Sequence, residues 1–186
     1  MGFSVHGYYA AALAAFLMAA PARAEKADVT RLEAELNASP SATQMLTEKC
    51  AALKLASPPV IQAVREKRAD QKASPDIRKL LDVTADARLG YRRVKLTCGT
   101  HVLSEADNWY VPERLTPEMN RTLDTTEMPF GTVVRPLGFH RKTLKMEALA
   151  EPAHALRVTA LLVTGAGLPF SVVVENYSRE LAGGKP

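Results

Sequence analysis

Cysteine is scarce in this chain. Two occur among 186 residues, Cys50 and Cys98, so covalent cross-linking within the chain is limited to one bridge. In an oxidising compartment the pair can close a long loop. As free thiols they pack as small hydrophobes, and both readings are open at this point. Neither cysteine has metal-ligand spacing. The four histidines, His6, His101, His140 and His154, are scattered without H-x-x-x-H or C-x-x-C, so no metal is expected. Excess charge is small too. The formal net charge is +4, and no basic cluster carries interleaved aromatics. The mixed-sign block "REKRAD" reads as a solvated helix face, and no nucleic-acid partner is expected. Beyond the N-terminus no apolar run is long enough to cross a membrane. There is no internal repeat, catalytic triad or phosphate-cradling loop. "GTVVRPLG" and "GAG" do not fit a dinucleotide fingerprint. No cofactor is expected.

The N-terminus carries the one pronounced apolar run, Tyr8 to Ala20, too short to span a bilayer stably. It ends in Ala22-Arg23-Ala24, a small-x-small cleavage site, with acidic helical sequence directly after it. Residues 1–24 are expected to be a secretory signal peptide, cleaved before Glu25. The n-region lacks Lys and Arg, and the competing reading is an uncleaved anchor. Cleavage removes only Arg23 and lowers the net charge to +3. Residues 25–186 are then a single periplasmic or secreted domain, with no stable membrane anchor left.

The first half has helical period. "DVTRLEAELNA" spaces Val29, Leu32 and Leu36 on one helical face. A second helix follows Ser41, a candidate N-cap, and stops at Pro58-Pro59. "VIQAVREKRAD" reads as a third short helix, and "QKASPDIRKLLDVTADARLG" as a connection. From Leu89 the period becomes two. "LGYRRVKLTC" and "THVLSEADNWYVP" form an expected hairpin around Gly99-Thr100. "LTPEMNRTLDT" returns to helix, with Thr116 as cap and Pro117 at its first position. "TEMPFGTVVRPLGF" is turn-rich, "FHRKTLKMEAL" is a strand, and "HALRVTALLVT" with "FSVVVENYS" makes a second hairpin. The tail "LAGGKP" is expected to fray. Helices followed by antiparallel strands predict an α+β domain with a sheet of about four to six strands and N-terminal helices.

Two ionisable residues interrupt the apolar faces of this pattern. Alternation places Arg92 in line with Val94 and Leu96. In "PFSVVVENYS" it places Glu175 in line with Ser171, Val173 and Tyr177. A charge on a core face must be paired or face a cavity. Two arrangements satisfy that requirement. Arg92 and Glu175 can form a buried structural ion pair. Alternatively they line a closed pocket, where Arg92 takes a ligand carboxylate by a two-pronged contact and Glu175 acts as hydrogen-bond partner or general acid. Gly131 in "MPFG" allows a close backbone approach or a simple turn. "NWYVP" reads as core at a strand end. Arg135, His140 and Arg141 read as surface charges on their own.

The motifs in order resemble the chorismate pyruvate-lyase superfamily. They are S-x-T on a helix, x-R-x-V-x-L on a strand, A-x-x-x-x-V-P, P-[LF]-G, and a late Glu in an apolar strand. That superfamily includes 4-hydroxybenzoate synthases and the effector-binding domains of GntR-type repressors. The resemblance runs from Ser41 to Ser178, and "SEADNWYVPERLTPEMN" with "TTEMPFGTVV" looks like a bacterial branch of it. It implies an antiparallel sheet with helices and flaps sealing an internal ligand pocket. It implies that Arg92 binds ligand carboxylate and that Glu175 sits near the ring oxygen of 4-hydroxybenzoate. Ala42 and Thr43 match a pocket position with backbone contacts to product. Phe130 and Gly131 match P-L-G, with Phe130 in place of the usual leucine, and Arg141 matches a strand arginine. The implied activity is a carbon–oxygen lyase that turns chorismate into 4-hydroxybenzoate and pyruvate without metal or cofactor. Asp107-Asn108 stands where the enzymes carry a positive charge, and an exported chain is separated from cytosolic chorismate. Both departures point to the alternative, an exported non-catalytic binder of a small aromatic or other carboxylic acid.

Overall fold

The structure, a computed structural model, describes residues 26–66 and 70–183. The expected signal peptide lies outside the described residues. So do Lys67, Arg68 and Ala69 of "REKRAD".

Helix α1 covers 26–38 and buries Val29, Leu32 and Leu36. Helix α2, Ala42–Ala52, is capped by Ser41, whose Oγ accepts from the Gln44 N–H at 3.1 Å, satisfying one of the first-turn donors. The strands are β1 (Ile61–Arg65), β2 (Gly90–Cys98), β3 (His101–Tyr110), β4 (His140–Ala148), β5 (His154–Val163) and β6 (Pro169–Ser178). They form one antiparallel sheet in the order β1-β2-β3-β6-β5-β4. The α+β expectation holds, with six strands, and both expected hairpins form. Gly99 turns the first at φ 56° and Gly167 the second at φ 84°, values that favour glycine.

Helices α1 and α2 cover one half of one sheet face, packing on Val94, Leu96 and Ala106. Helix α4 (Pro117–Thr125) and the single turn α5 (Phe130–Val133) cover the other half, packing on Tyr110, Leu162 and Phe170. The opposite face, with Trp109 and Val172, lies under α3 (Pro75–Leu80) and its flanks. Cys50 of α2 and Cys98 of β2 are joined in a disulfide with Cα atoms 6.1 Å apart, which resolves the choice between bridge and free thiols.

Four sequence expectations need correction. "VIQAV" is not helical: Ile61–Arg65 is an edge strand paired with β2. Its burial alternates, with Ile61 and Ala63 inside and Gln62 and Val64 outside. A five-residue run is too short for its period to distinguish helix from strand, and pairing with β2 decided it. The stretch read as a connection contains α3, capped by Ser74 with Pro75 at its first turn, the same signal that was read correctly at Thr116-Pro117. The turn-rich passage holds α5. The tail begins packed, not frayed, because Leu181 and Ala182 are buried in a short 3-10 turn.

Candidate functional site

Where the two halves of the helix-covered face meet, the side chains leave a cavity with space for water centres of about 50 Å³. At roughly 10–15 Å³ per water this holds about three to five waters, a liquid volume of ~100–150 Å³. That is the size of one substituted ring. Its floor is Val94, Ala106, Asn108, Leu162 and Val173 from four neighbouring strands. Its cover comes from Ser41, Ala42 and Thr43 at the start of α2 and from Phe130 and Gly131 at the start of α5. Ala42, Thr43, Arg92, Phe130, Gly131, Arg141 and Glu175, all singled out from the sequence, line this one cavity. A Cβ on Gly131 would lie 3.1 Å from Thr43 Oγ1. The missing side chain is what lets the two helix starts touch. Both helix starts present first-turn N–H groups without intrahelical acceptors.

Arg92 is 2% exposed. Its Nη1 donates to the Met128 carbonyl at 3.1 Å and its Nη2 to the Thr126 carbonyl at 3.3 Å, while its buried Nε has no partner. A guanidinium has five N–H donors, so more than half are uncommitted. Among the described residues no carboxylate lies within 4.0 Å of it. Asp124, which acts on it at longer range, is bridged to Arg65 at 3.5 Å. Burial, and then repulsion from Arg65, push the Arg92 pKa down.

Glu175 does not pair with Arg92. Its Oε2 accepts from Arg141 Nη2 at 2.5 Å and from the Tyr177 hydroxyl at 2.9 Å, so the structural ion pair weighed above is replaced by a different one. Arg141 is correspondingly no surface charge. Its side chain reaches in from edge strand β4 and is 6% exposed, as is that of Glu175. Burial is the largest influence on the Arg141 cation and opposes it, but the charge and hydrogen bond of Glu175, together with Tyr177, outweigh it and the Arg141 pKa ends above its ordinary value. Burial and the Glu175 charge push the Tyr177 hydroxyl well above the tyrosine range. Arg92 and Glu175 flank Asn108 and Ala106 of β3. Two strand spacings across and two residues along put their Cα atoms about 12 Å apart, with long side chains entering from each end.

Asn108 is the pocket residue that sequence reading treated only as a departure. Hairpin β2–β3 carries a bulge: Thr97 pairs with Val102, but Leu96 pairs with Ser104. The extra Leu103 shifts the register by one, so Asn108 and not Asp107 lies beside Arg92. Asp107 falls on the opposite face, bound to Arg93 at 2.8 Å and to Tyr91 Oη at 2.5 Å. Asn108 Oδ1 accepts from Ser171 at 2.5 Å. Tyr177 was readable, since it shares a face with Glu175 two residues away. Phe139, which closes one side, gave no signal.

The six-stranded antiparallel sheet with helices over its cavity face is an α+β fold shared with an effector domain of known structure. Solved structures bear out the fold. PhnF from Mycobacterium smegmatis matches with a TM-score of 0.53 at 12% identity, covering 74% of this chain and 63% of that one. The effector domain of PhnF matches with a TM-score of 0.50 at 11% identity, covering 63% and 80%. The chain spans about three fifths of two of the longer chains it matches, 63% of PhnF and 59% of the possible transcriptional regulator YydK from Bacillus subtilis. No protein-family model matches. The chain belongs to the same family as the uncharacterized protein y4mC of Sinorhizobium fredii (strain NBRC 101917 / NGR234). The two are 40% identical over 173 residues, 81% of this chain and 73% of y4mC.

Proposed function

We propose that this protein binds a small, single-ring carboxylic acid in the cavity, with Arg92 holding the carboxylate. The carrying observation is the buried Arg92 guanidinium, with an unpartnered Nε, two singly committed Nη atoms and no counter-ion among the described residues. Nε with one Nη is the geometry of a two-pronged carboxylate contact. Ala42, Thr43, Phe130 and Gly131, at two helix starts, line the same cavity. Glu175, held by Arg141 and Tyr177, receives a hydrogen-bond donor at the ring's far side. The Cys50–Cys98 disulfide supports export of residues 25–186 to the periplasm or beyond, since such bridges persist in oxidising compartments.

Melting the protein with and without 4-hydroxybenzoate tests the reading. At ligand a hundredfold above Kd the stabilisation is about 2.7 kcal/mol, or about 5–10 °C at this chain length. The shift disappears in Arg92→Ala. No shift with any single-ring acid rejects the proposal.

Chorismate cleavage is the second reading, favoured by Arg92 and Arg141 lining one cavity; it requires Arg141 to exchange Glu175 for the second carboxylate of chorismate, and the charge selection inferred below would exclude it. Holding and orienting the enol ether would be the main catalytic contribution. Incubation with chorismate decides it: pyruvate and 4-hydroxybenzoate appear together and vanish in Arg92→Ala, or the lyase reading is wrong.

A further inference from the structure

We infer that the Arg141–Glu175 pair sets the charge of the ligand this pocket accepts, selecting a single negative charge against both none and two. The inference rests on the carboxylate-binding reading and adds the ligand's charge class to it. Three ionisable side chains line the cavity: Arg92, Arg141 and Glu175. Arg141 and Glu175 neutralise each other at 2.5 Å with side chains 6% exposed. The remaining excess is the one positive charge of Arg92. The other charges on neighbouring strands do not alter this balance. Asp107, Glu105 and Glu66 gather around Arg93 on the opposite face, with Lys95 also on Glu105, and Asp124 is bridged to Arg65.

A ligand with one carboxylate at Arg92 brings the buried site to neutrality. At its far end, about one ring away, it meets Glu175, whose two hydrogen bonds both fall on Oε2. Oε1 is left to accept, so a neutral donor such as a hydroxyl fits there. A second carboxylate would instead stand against Glu175 in a site with little water to screen it, the costliest place for like charges. An uncharged ligand would leave Arg92 buried and unneutralised. Arg141 is thus a specificity-determining residue. Without it Glu175 would be an unpaired buried anion and the cavity would carry no net charge.

Three para-substituted benzenes read this by isothermal titration at neutral pH, with the Glu175→Gln comparison separating charge from the larger size of the third: 4-hydroxybenzamide, 4-hydroxybenzoate and benzene-1,4-dicarboxylate, with charges of zero, minus one and minus two. The parent protein is expected to bind 4-hydroxybenzoate at least about tenfold tighter than either of the others. In Glu175→Gln the excess becomes two positive charges, and the order of the two acids reverses. Equal or tighter binding of the dicarboxylate by the parent overturns the inference, as does an unchanged ratio in Glu175→Gln. The parent comparison stands alone if that variant fails to fold. Failure of the underlying reading looks different: then neither acid binds the parent. If both acids bind and both are lost in Arg92→Met without discrimination in the parent, only the charge selection is wrong.

Discussion

Replacing Arg92 by methionine is expected to cost the protein its ligand without costing it stability. Two effects oppose each other in the free protein. Arg92 is a buried cation without a carboxylate partner, and the desolvation penalty of such an ion is still several kcal/mol after relaxation. Methionine removes that penalty and fills similar volume with adaptable apolar atoms. Against this, the Met128 and Thr126 carbonyls lose donors at 3.1 and 3.3 Å, each bond worth about 1.5–3 kcal/mol when charge-assisted. Residues 126–128 are exposed, so water replaces part of that loss, and the segment keeps its tie from the Ala63 N–H to the Glu127 carbonyl at 2.7 Å. The net change falls between zero and a gain of ~3 kcal/mol, a melting temperature unchanged or raised by up to about 10 °C. Ligand binding moves the other way. Truncating one side of a buried charge pair costs about 2–5 kcal/mol, a loss of about 30-fold to several thousandfold. Scanning calorimetry of the free variant and titration with 4-hydroxybenzoate measure both. An Arg92 that served only the fold would behave oppositely, with a loss of about 3–5 kcal/mol on truncation and unchanged affinity. That result refutes the reasoning.

Three further outcomes follow from the packing. The Cys50–Cys98 bridge has a sequence separation of 48, for which the chain-entropy relation gives about 4 kcal/mol. Cys50→Ala with Cys98→Ala is expected to lower the melting temperature by about 8–16 °C, and a change below a few degrees contradicts the estimate. Burial raises Tyr110 and Tyr177, and burial with the Asp107 hydrogen bond raises Tyr91 to about 12. These hydroxyls keep protons in the folded state that the unfolded chain releases from about pH 10. Their contribution is therefore complete below pH 10 and is lost as pH rises through the folded values. Tyr177→Phe should flatten the decline between pH 10 and 12 by about 1.4 kcal/mol per pH unit, checked by urea unfolding; an unaltered slope excludes Tyr177 from the linkage. A Cβ at Gly90 would lie 2.4 Å from Tyr110 Cζ, and that ring is braced by Phe130 with centroids 5.5 Å apart. Gly90→Ala is expected to cost about 1–3 kcal/mol, read as a drop in melting temperature, and a neutral effect would mean the ring moves freely.

Much of the pocket could be read from local pattern. Strand alternation alone put Arg92 with Val94 and Leu96, and Glu175 with Val173 and Tyr177, because a two-residue period survives any tertiary arrangement. Helix caps were equally legible at Ser41 and Thr116, since their signal lies within three residues. What failed was whatever depended on partners distant in sequence. Whether "VIQAV" coils or extends is settled by β2, about thirty residues on. The bulge that turns Asn108 inward is a property of the paired hairpin and leaves no mark on either strand alone. Arg141 looked like a surface charge because β4 is an edge strand with mostly exposed side chains, and only the fold shows its guanidinium reaching across β5 to Glu175 of β6. For the same reason the alternative of a structural Arg92–Glu175 pair stayed open from sequence and is excluded only by the observed Arg141–Glu175 bond.

The most direct test of the account is a crystal structure of the protein grown with 4-hydroxybenzoate. The account predicts the ring inside the cavity, its carboxylate within hydrogen-bond distance of Arg92 Nε and one Nη, and its hydroxyl toward Glu175. Ligand bound elsewhere, or seated with its carboxylate away from Arg92, would contradict it.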